Sequence, residues 1–392
     1  AAKTPTRPIA LLAVAGFASQ AMVRVTDSLL PQIAADFDTT VGSAAMVVTG
    51  YAVSHGAIQL VIGPVGDRFG KYRTVTIACA LTGVLVLLCG LAQTLPALVL
   101  ARFACGATAG WIIPLSMAFV GDVTPYQRRQ SVLARYLSGQ ILGQLFGQAG
   151  GGILGDLFGW RGVFFLLAAV FAVATLALTR ELVANPLTRL RAEPGAGSRG
   201  FVADYGAVLR TPWARTVILA GAIEGAVAWG AFTYVGADLH LRLGLSFTTV
   251  GAIVAMFGIG GLLYALTVSQ LVDRLGQTGL AIGGGLLLSA AYLTLTFAPV
   301  WGAPVAVVAI GFGFYMLHNT LQTNATQMTP EARGTAVALF SSALYLGQMA
   351  GVALAALVAD RYGIAPIFVT AAAALPLLAL WFARALRQHR MQ

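Results

Sequence analysis

The chain has 392 residues, 58% of them hydrophobic and 10% charged, with a mean hydropathy of +0.81. A water-soluble domain carries roughly a quarter of its residues as charges, so this chain cannot cover itself for water, and its outer solvent is lipid. The formal net charge of +10 does not mark a nucleic-acid binder, because the basic residues fall in short segments between apolar runs rather than in one solvated patch.

Twelve apolar runs follow one another, over 9–31, 42–64, 74–93, 97–119, 132–154, 162–180, 214–236, 247–268, 279–298, 303–325, 335–358 and 364–385. At about 20 residues per crossing, each can span a bilayer. Spanning backbone must satisfy its hydrogen bonds internally, which predicts helices, and the alternation of barrel strands is absent. The first run is too long for a cleavable leader and leads into further spans. Cys79, Cys89 and Cys105 lie within apolar runs and read as small hydrophobes without metal-binding spacing. The polar stretch 181–213, rich in Pro, Gly and Arg, reads as a linker with one short surface helix. It separates a six-helix unit over 1–180 from a second over 214–392.

An even number of spans puts both termini on one side. That side holds eighteen of the 24 Lys and Arg residues, against Arg161, Arg242 and Arg361 on the other, with Arg24, Arg102 and Arg135 inside spans. The bias predicts a multi-pass inner-membrane protein with both termini in the cytoplasm. The two units also repeat. Phe37 to Gly42 (FDTTVG) recurs as Phe247 to Gly251 (FTTVG), and Gly66 to Lys71 (GDRFGK) as Val272 to Gln277 (VDRLGQ). Thr124-Pro125 recurs as Thr329-Pro330, and Asp156 and Gly159 recur as Asp360 and Gly363. Near-constant offsets imply a duplicated unit, which places a substrate site between the halves near the bilayer midplane.

After the second span stand Gly63, Asp67, Arg68, Gly70, Lys71 and Arg73 in the pattern G-x-x-x-D-R-x-G-[RK]-x-[RK]. Gly63 permits close helix approach, Gly70 a sharp turn, and Asp67 offers an anion to an Arg or a helix N-terminus. This segment resembles the signature of the major facilitator superfamily, and the resemblance covers the whole chain. It implies an all-α membrane protein of twelve transmembrane helices in two pseudo-symmetric six-helix bundles, with this motif and its second copy, Asp273 and Arg274, latching the cytoplasmic gate. The second copy has Ser269 where the first has Gly63 and lacks the trailing basic residues, so its latch is the weaker.

Within the spans, Arg102 and Gly106 resemble the family's fourth-helix R-x-x-x-G, whose Arg is tied to proton movement; an Arg in hydrocarbon must find a partner in either case. Gly139, Gly143, Gly147, Gly151 and Gly155 are spaced by four, which makes one helix face a smooth groove beside a stripe of Gln140, Gln144 and Gln148. Gly143, Gly147, Gly151 and Gly152 resemble the antiporter motif G-x-x-x-G-P-x-x-G-G, with Gln148 in place of the proline. Asp27 and Pro31 resemble the D-x-x-x-P feature of drug:proton antiporters. Arg24 and Asp27 share a helix face, so Asp27 reads either as a proton site, its charge disfavoured by burial and favoured by Arg, or as half of a fixed ion pair with Arg24 or Arg102. Glu224, without an obvious local partner, is a second proton or cation-substrate candidate. Gln20, Arg24, Gln140, Gln144, Trp229, Tyr234, His318 and Gln322 are the candidates for the cavity wall, and His55 reads as a packed interhelical group. Trp160-Arg161 reads as an anchor at the outer interface.

No phosphate-binding lysine loop, nucleophile elbow or zinc-protease motif is present. The expectation is a non-enzymatic, monomeric secondary transporter without cofactor. It would exchange a small organic solute for protons by alternating access, with the proton gradient as energy source and Asp27, Arg102 and Glu224 handling the proton. Uptake of an organic anion held by Arg24 and Arg102 is the alternative, and a non-transporting receptor or scaffold is the minor one.

Overall fold

The structure is a computed structural model that describes residues 5–62, 69–124, 126–189, 201–329 and 332–391. Among the described residues there is no strand, and ten helices are long and apolar enough to cross a membrane. Two of these are double-length. Tyr126–Ala184 and Phe247–Phe297 each carry one non-helical residue, Gly159 (φ 69°) and Gly276 (φ 61°). An unbroken helix of 50 residues would be about 75 Å long, against a hydrocarbon core of about 30 Å. Each therefore turns back at a glycine that tolerates the left-handed region.

The spans are α1 (Thr6–Ser28), α2 (Val41–Gln59), α3 (Lys71–Leu91), α4 (Leu95–Val123), α5 (126–158), α6 (160–184), α7 (Pro212–Leu241), α8 (247–275), α9 (277–297), α10 (Gly302–Ala325), α11 (Arg333–Tyr362) and α12 (Ala365–Met391). The sequence separates the fifth and sixth runs, and the eighth and ninth, by short polar gaps; the chain closes both gaps to a single residue. In the linker, Phe201–Arg210 forms the expected short helix, and its Tyr205 hydroxyl donates to the Leu60 carbonyl near the end of α2 at 2.6 Å.

Four of the five glycines of α5 set a close helix pair with α1. A methyl group at Gly139, Gly143, Gly147 or Gly151 would run into the backbone carbonyls of Ala13, Phe17, Ala21 and Val25 in turn, so α5 lies directly on α1 for four turns. The second half repeats this packing, with Gly347 and Gly351 of α11 against the carbonyls of Ala222 and Ala226 of α7. Gly347 and Gly351 stand 204 residues after Gly143 and Gly147, and Ala222 and Ala226 stand 205 after Phe17 and Ala21. The repeat offset is therefore visible in three dimensions as one packing scheme used twice. Without water to drive apolar helices together, such close approach supplies much of the association between them.

Filling this groove should be costly. Gly147→Leu is expected to destabilise the protein by about 1–3 kcal/mol through overpacking. Thermal unfolding of the detergent-solubilised protein checks this, with Gly206→Ala as the control because no atom of the described residues lies within 4 Å of a methyl group there.

Candidate functional site

Two seams join the halves, α2 with α11 and α5 with α8, and both are shut at the end of the bundle away from the termini. There Thr40 caps α2, accepting from the Ser43 amide at 3.0 Å. Asp360, at the end of α11, adds a second cap: its carboxylate accepts from the Gly42 amide at 3.0 Å and from the Thr40 hydroxyl at 2.8 Å. The other seam mirrors the first. Ser246 caps α8, and Asp156 of α5 accepts from the Thr248 amide at 2.8 Å and the Thr248 hydroxyl at 2.6 Å. A carboxylate at a helix N-terminus satisfies orphan amides and meets the positive end of the helix dipole. Each half thus caps one helix of the other. Between the latches, Gly152 sits against the Phe247 carbonyl and Gly251, and Gly236 of α7 against the Asp27 carbonyl.

Towards the termini the seams differ. The α2–α11 seam stays packed as far as Gly56, whose nearest neighbours are Tyr345 and the Ser342 carbonyl, and the His55 and Tyr345 rings lie 4.3 Å apart. The α5–α8 seam parts beyond Leu145 and Gly258. On the faces that continue it, Leu142 of α5 and Leu262, Ala265 and Ser269 of α8 are exposed. The molecule is closed at the far end and wedged open on the terminal side.

The polar residues of the spans gather at the head of this wedge, where two helices leave α geometry. α1 becomes a 3-10 turn over Val25–Ser28, and α7 a π turn over Gly225–Trp229. Such departures often mark functional points. Arg102, fully buried, stabilises the first: its guanidinium donates to the Met22 carbonyl at 2.9 Å, the Val47 carbonyl at 3.3 Å and the Thr26 hydroxyl at 3.4 Å, and lies over the Tyr51 ring. Asp27 is buried in the 3-10 turn, and its Oδ2 has no hydrogen-bond partner. Neither Arg24 nor Arg102 forms an ion pair with it among the described residues. Instead, the Arg24 guanidinium lies 3.4 Å over the Trp229 ring, and its Nε is unpartnered.

Glu224 has the partner that local sequence did not show. Its Oε2 is 2.7 Å from Nδ1 of His318 on α10, while Oε1 is buried and unpartnered. His318 stacks on Phe314, and Trp229, Phe232, Phe257 and Phe314 form one aromatic wall. Of the remaining predicted residues, Gln140 and Gln144 have unpartnered amide nitrogens on α5, Gln20 is half-buried on α1, and Gln322 is exposed one turn from His318. Tyr234 is not a lining residue: it is fully buried, and its hydroxyl ties α7 to the Val352 carbonyl of α11. Trp160 and Arg161 are not a simple interface anchor either. Trp160 is buried, and Arg161 pairs with Asp36 and donates to the Ala92 carbonyl. In the predicted gate motif Gly70 makes the left-handed turn (φ 89°), Lys71 pairs with Asp122 of the same half at 2.6 Å, and Arg73, Asp273 and Arg274 are exposed. Gly63, Asp67 and Arg68 lie outside the described residues.

Sequence reasoning passed over Gly347, Gly351, Thr40 and Thr248. The 204-residue offset from Gly143 and Gly147 flags the first two, and the repeated FTTVG segment flags the others.

Known proteins agree with this architecture. The profile of the Major Facilitator Superfamily matches residues 12–347 and 236–391, and the chain belongs to that family. It is similar to the chloramphenicol resistance protein of Streptomyces lividans, 25% identical over 354 residues that cover 89% of this chain and 88% of the relative. It is also similar to the uncharacterized MFS-type transporter YceJ of Bacillus subtilis (strain 168), 26% identical over 332 residues, 83% of each chain. Among solved structures the POT family transporter PepTSo shares the fold, with a TM-score of 0.80 at 14% identity over 100% of this chain and 99% of that one. The protein is a transporter rather than an enzyme.

The twin carboxylates make a separable expectation. Replacing Asp156 and Asp360 together by Ala should lower the ratio of far-end-closed to far-end-open molecules roughly ten- to thirtyfold, at about 1 kcal/mol per lost cap. Electron–electron distance measurements between nitroxides at exposed Ala35 and Ala365 read this ratio; an unchanged distribution would show that the caps do not hold the seam.

Proposed function

We propose that the protein is a proton-coupled exporter of a small organic solute, acting as a monomer by alternating access in the cytoplasmic membrane. The basic bias of the terminal side favours a cytoplasmic position for both termini, and on that reading the open wedge faces inward. The units 1–180 and 214–392, joined by 181–213, rock about the central site. No cofactor is required, because the proton gradient supplies the energy. Among its relatives, the chloramphenicol resistance protein carries a resistance function in its name.

The observation that carries this reading is the Glu224–His318 pair, 2.7 Å apart and buried at the head of the wedge. An ionisable residue at membrane depth is costly and marks an ion or substrate pathway. With one shared proton the Glu224–His318 pair carries no net charge, and release of that proton leaves a single negative charge that an incoming solute must compensate. His318, slightly exposed, borders the wedge, and fully buried Glu224 lies behind it. Asp27 is the second carboxylate of the site, and its charged neighbours are the arginines Arg24 and Arg102 rather than a histidine. Arg102 tethers the turn that bears Asp27.

A substrate and a proton that compete for Glu224 cannot be held together, and that competition couples their movements. In inverted vesicles with an imposed pH gradient, Glu224→Gln should cut gradient-driven solute accumulation at least about tenfold while leaving solute exchange without a gradient. Full coupling in Glu224→Gln together with its loss in Asp27→Asn would move the proton to Asp27. Organic-anion uptake is favoured only by the unpartnered Nε of Arg24, since the Arg102 donors are engaged with backbone and Thr26. Inward flux of a labelled anion, abolished by Arg24→Gln, would establish it.

A further inference from the structure

Arg24 and Trp229 stand 205 residues apart, the same offset that relates Phe17 to Ala222 and Ala21 to Ala226 in the repeated glycine packing. They are therefore equivalent positions of the two halves, and they touch each other. In a two-fold arrangement equivalent residues meet only on the axis. The Arg24–Trp229 stack thus lies at the centre of the molecule, at the head of the wedge, and bridges α1 to α7.

The surroundings do not suit a permanent guanidinium. Its Nε has no acceptor, although it is buried. Two carboxylate oxygens, Oδ2 of Asp27 and Oε1 of Glu224, are also buried without partners. Trp229 presents its ring to Arg24 and is backed by Phe257 and Phe314, at centroid distances of 5.2 and 4.9 Å. An aromatic platform with an unpartnered carboxylate oxygen of Asp27 nearby is an environment that recognises a flat organic cation. In this structure a side chain of the protein holds that position.

We infer that Arg24 is a built-in competitor for the substrate: a planar organic cation takes its place on the Trp229 face and releases the bridge between the halves. The inference rests on the exporter reading and names the chemical class carried. Displacement does not strand Arg24. Asp27 follows three residues later, in a turn with three residues per turn, so the two side chains lie on one face and the free Oδ2 can receive the guanidinium. The incoming cation restores the positive charge that Arg24 withdraws from the Trp229 face. Because the stack joins α1 to α7, its replacement by a ligand removes one tie across the axis, and binding thereby favours separation of the halves at the far end.

The test is equilibrium binding of ethidium to the protein in lipid nanodiscs, with no gradient present. Removing a competitor strengthens binding, so Arg24→Ala should bind ethidium about tenfold more tightly than the parent. Trp229→Ala should bind at least about tenfold more weakly, and Trp229→Phe should fall between it and the parent. Arg24→Lys covers the case in which Arg24→Ala does not fold: its ammonium cannot lie flat on the ring, so binding should tighten severalfold. Equal or weaker ethidium binding in both Arg24 variants overturns the competitor role. Ethidium binding to neither parent nor variants, or binding of fluorescein that Arg24→Ala abolishes, overturns the cation class. Each of these results leaves proton coupling at Glu224 untouched, and loss of coupling with ethidium binding intact would sink the exporter reading alone.

Discussion

Hydrocarbon offers no hydrogen-bond partner, and most of this molecule follows from that. Every backbone amide and carbonyl in the spans must be answered within the protein, which makes the spans helical and turns each departure from α geometry into a debt met by a named side chain. Arg102 meets one such debt, bringing its donors to Met22 and Val47 where α1 tightens. Asp156 and Asp360 meet two others at the helix ends. Since lipid tails are as apolar as leucine, helices gain little from burial against one another and must approach closely instead. The glycine faces of α5 and α11 exist for that contact.

The same duplication yields a symmetric frame and an asymmetric centre. The glycine ladders, the capping hydroxyls of Thr40 and Ser246 and the latch carboxylates all recur, and all are structural. At the axis the repeat breaks down: Arg24 meets Trp229, and Glu224 corresponds to Ser19, whose hydroxyl reaches only the Ala109 carbonyl. A frame that must open at either end gains from equal halves, whereas a site that must tell one ligand from another needs different groups on its two walls. The aromatic wall, Glu224 and His318 lie in the second half, and Arg24, Arg102, Asp27, Gln140 and Gln144 in the first.

What was legible in the sequence depended on whether the signal was local. The all-helical multi-span class, the glycine face of α5, the turn at Gly70 and the repeated Asp156 and Asp360 could all be read, because hydrophobic runs and four-residue spacing survive in one dimension. The partner of Glu224 could not, because His318 is 94 residues away and spacing within a helix gives a face, never the neighbour it meets. Tyr234 misled for a related reason: an aromatic in a span looks the same whether its hydroxyl lines a cavity or, as here, ties two helices. The 3-10 and π turns were equally hidden, since they arise from tertiary ties such as Arg102 rather than from the residues that form them.

The reciprocal caps also impose an order of assembly. When α8 emerges, the carboxylate that caps it has already been made 92 residues earlier. The N-terminus of α2 must wait for Asp360, 318 residues further on. At about 5–20 residues per second of synthesis, that wait lasts roughly a quarter of a minute to a minute, during which Thr40 alone covers the exposed helix end. The α5–α8 seam is thus available as the first clasp between the halves, and the α2–α11 seam closes only after α11 has been made.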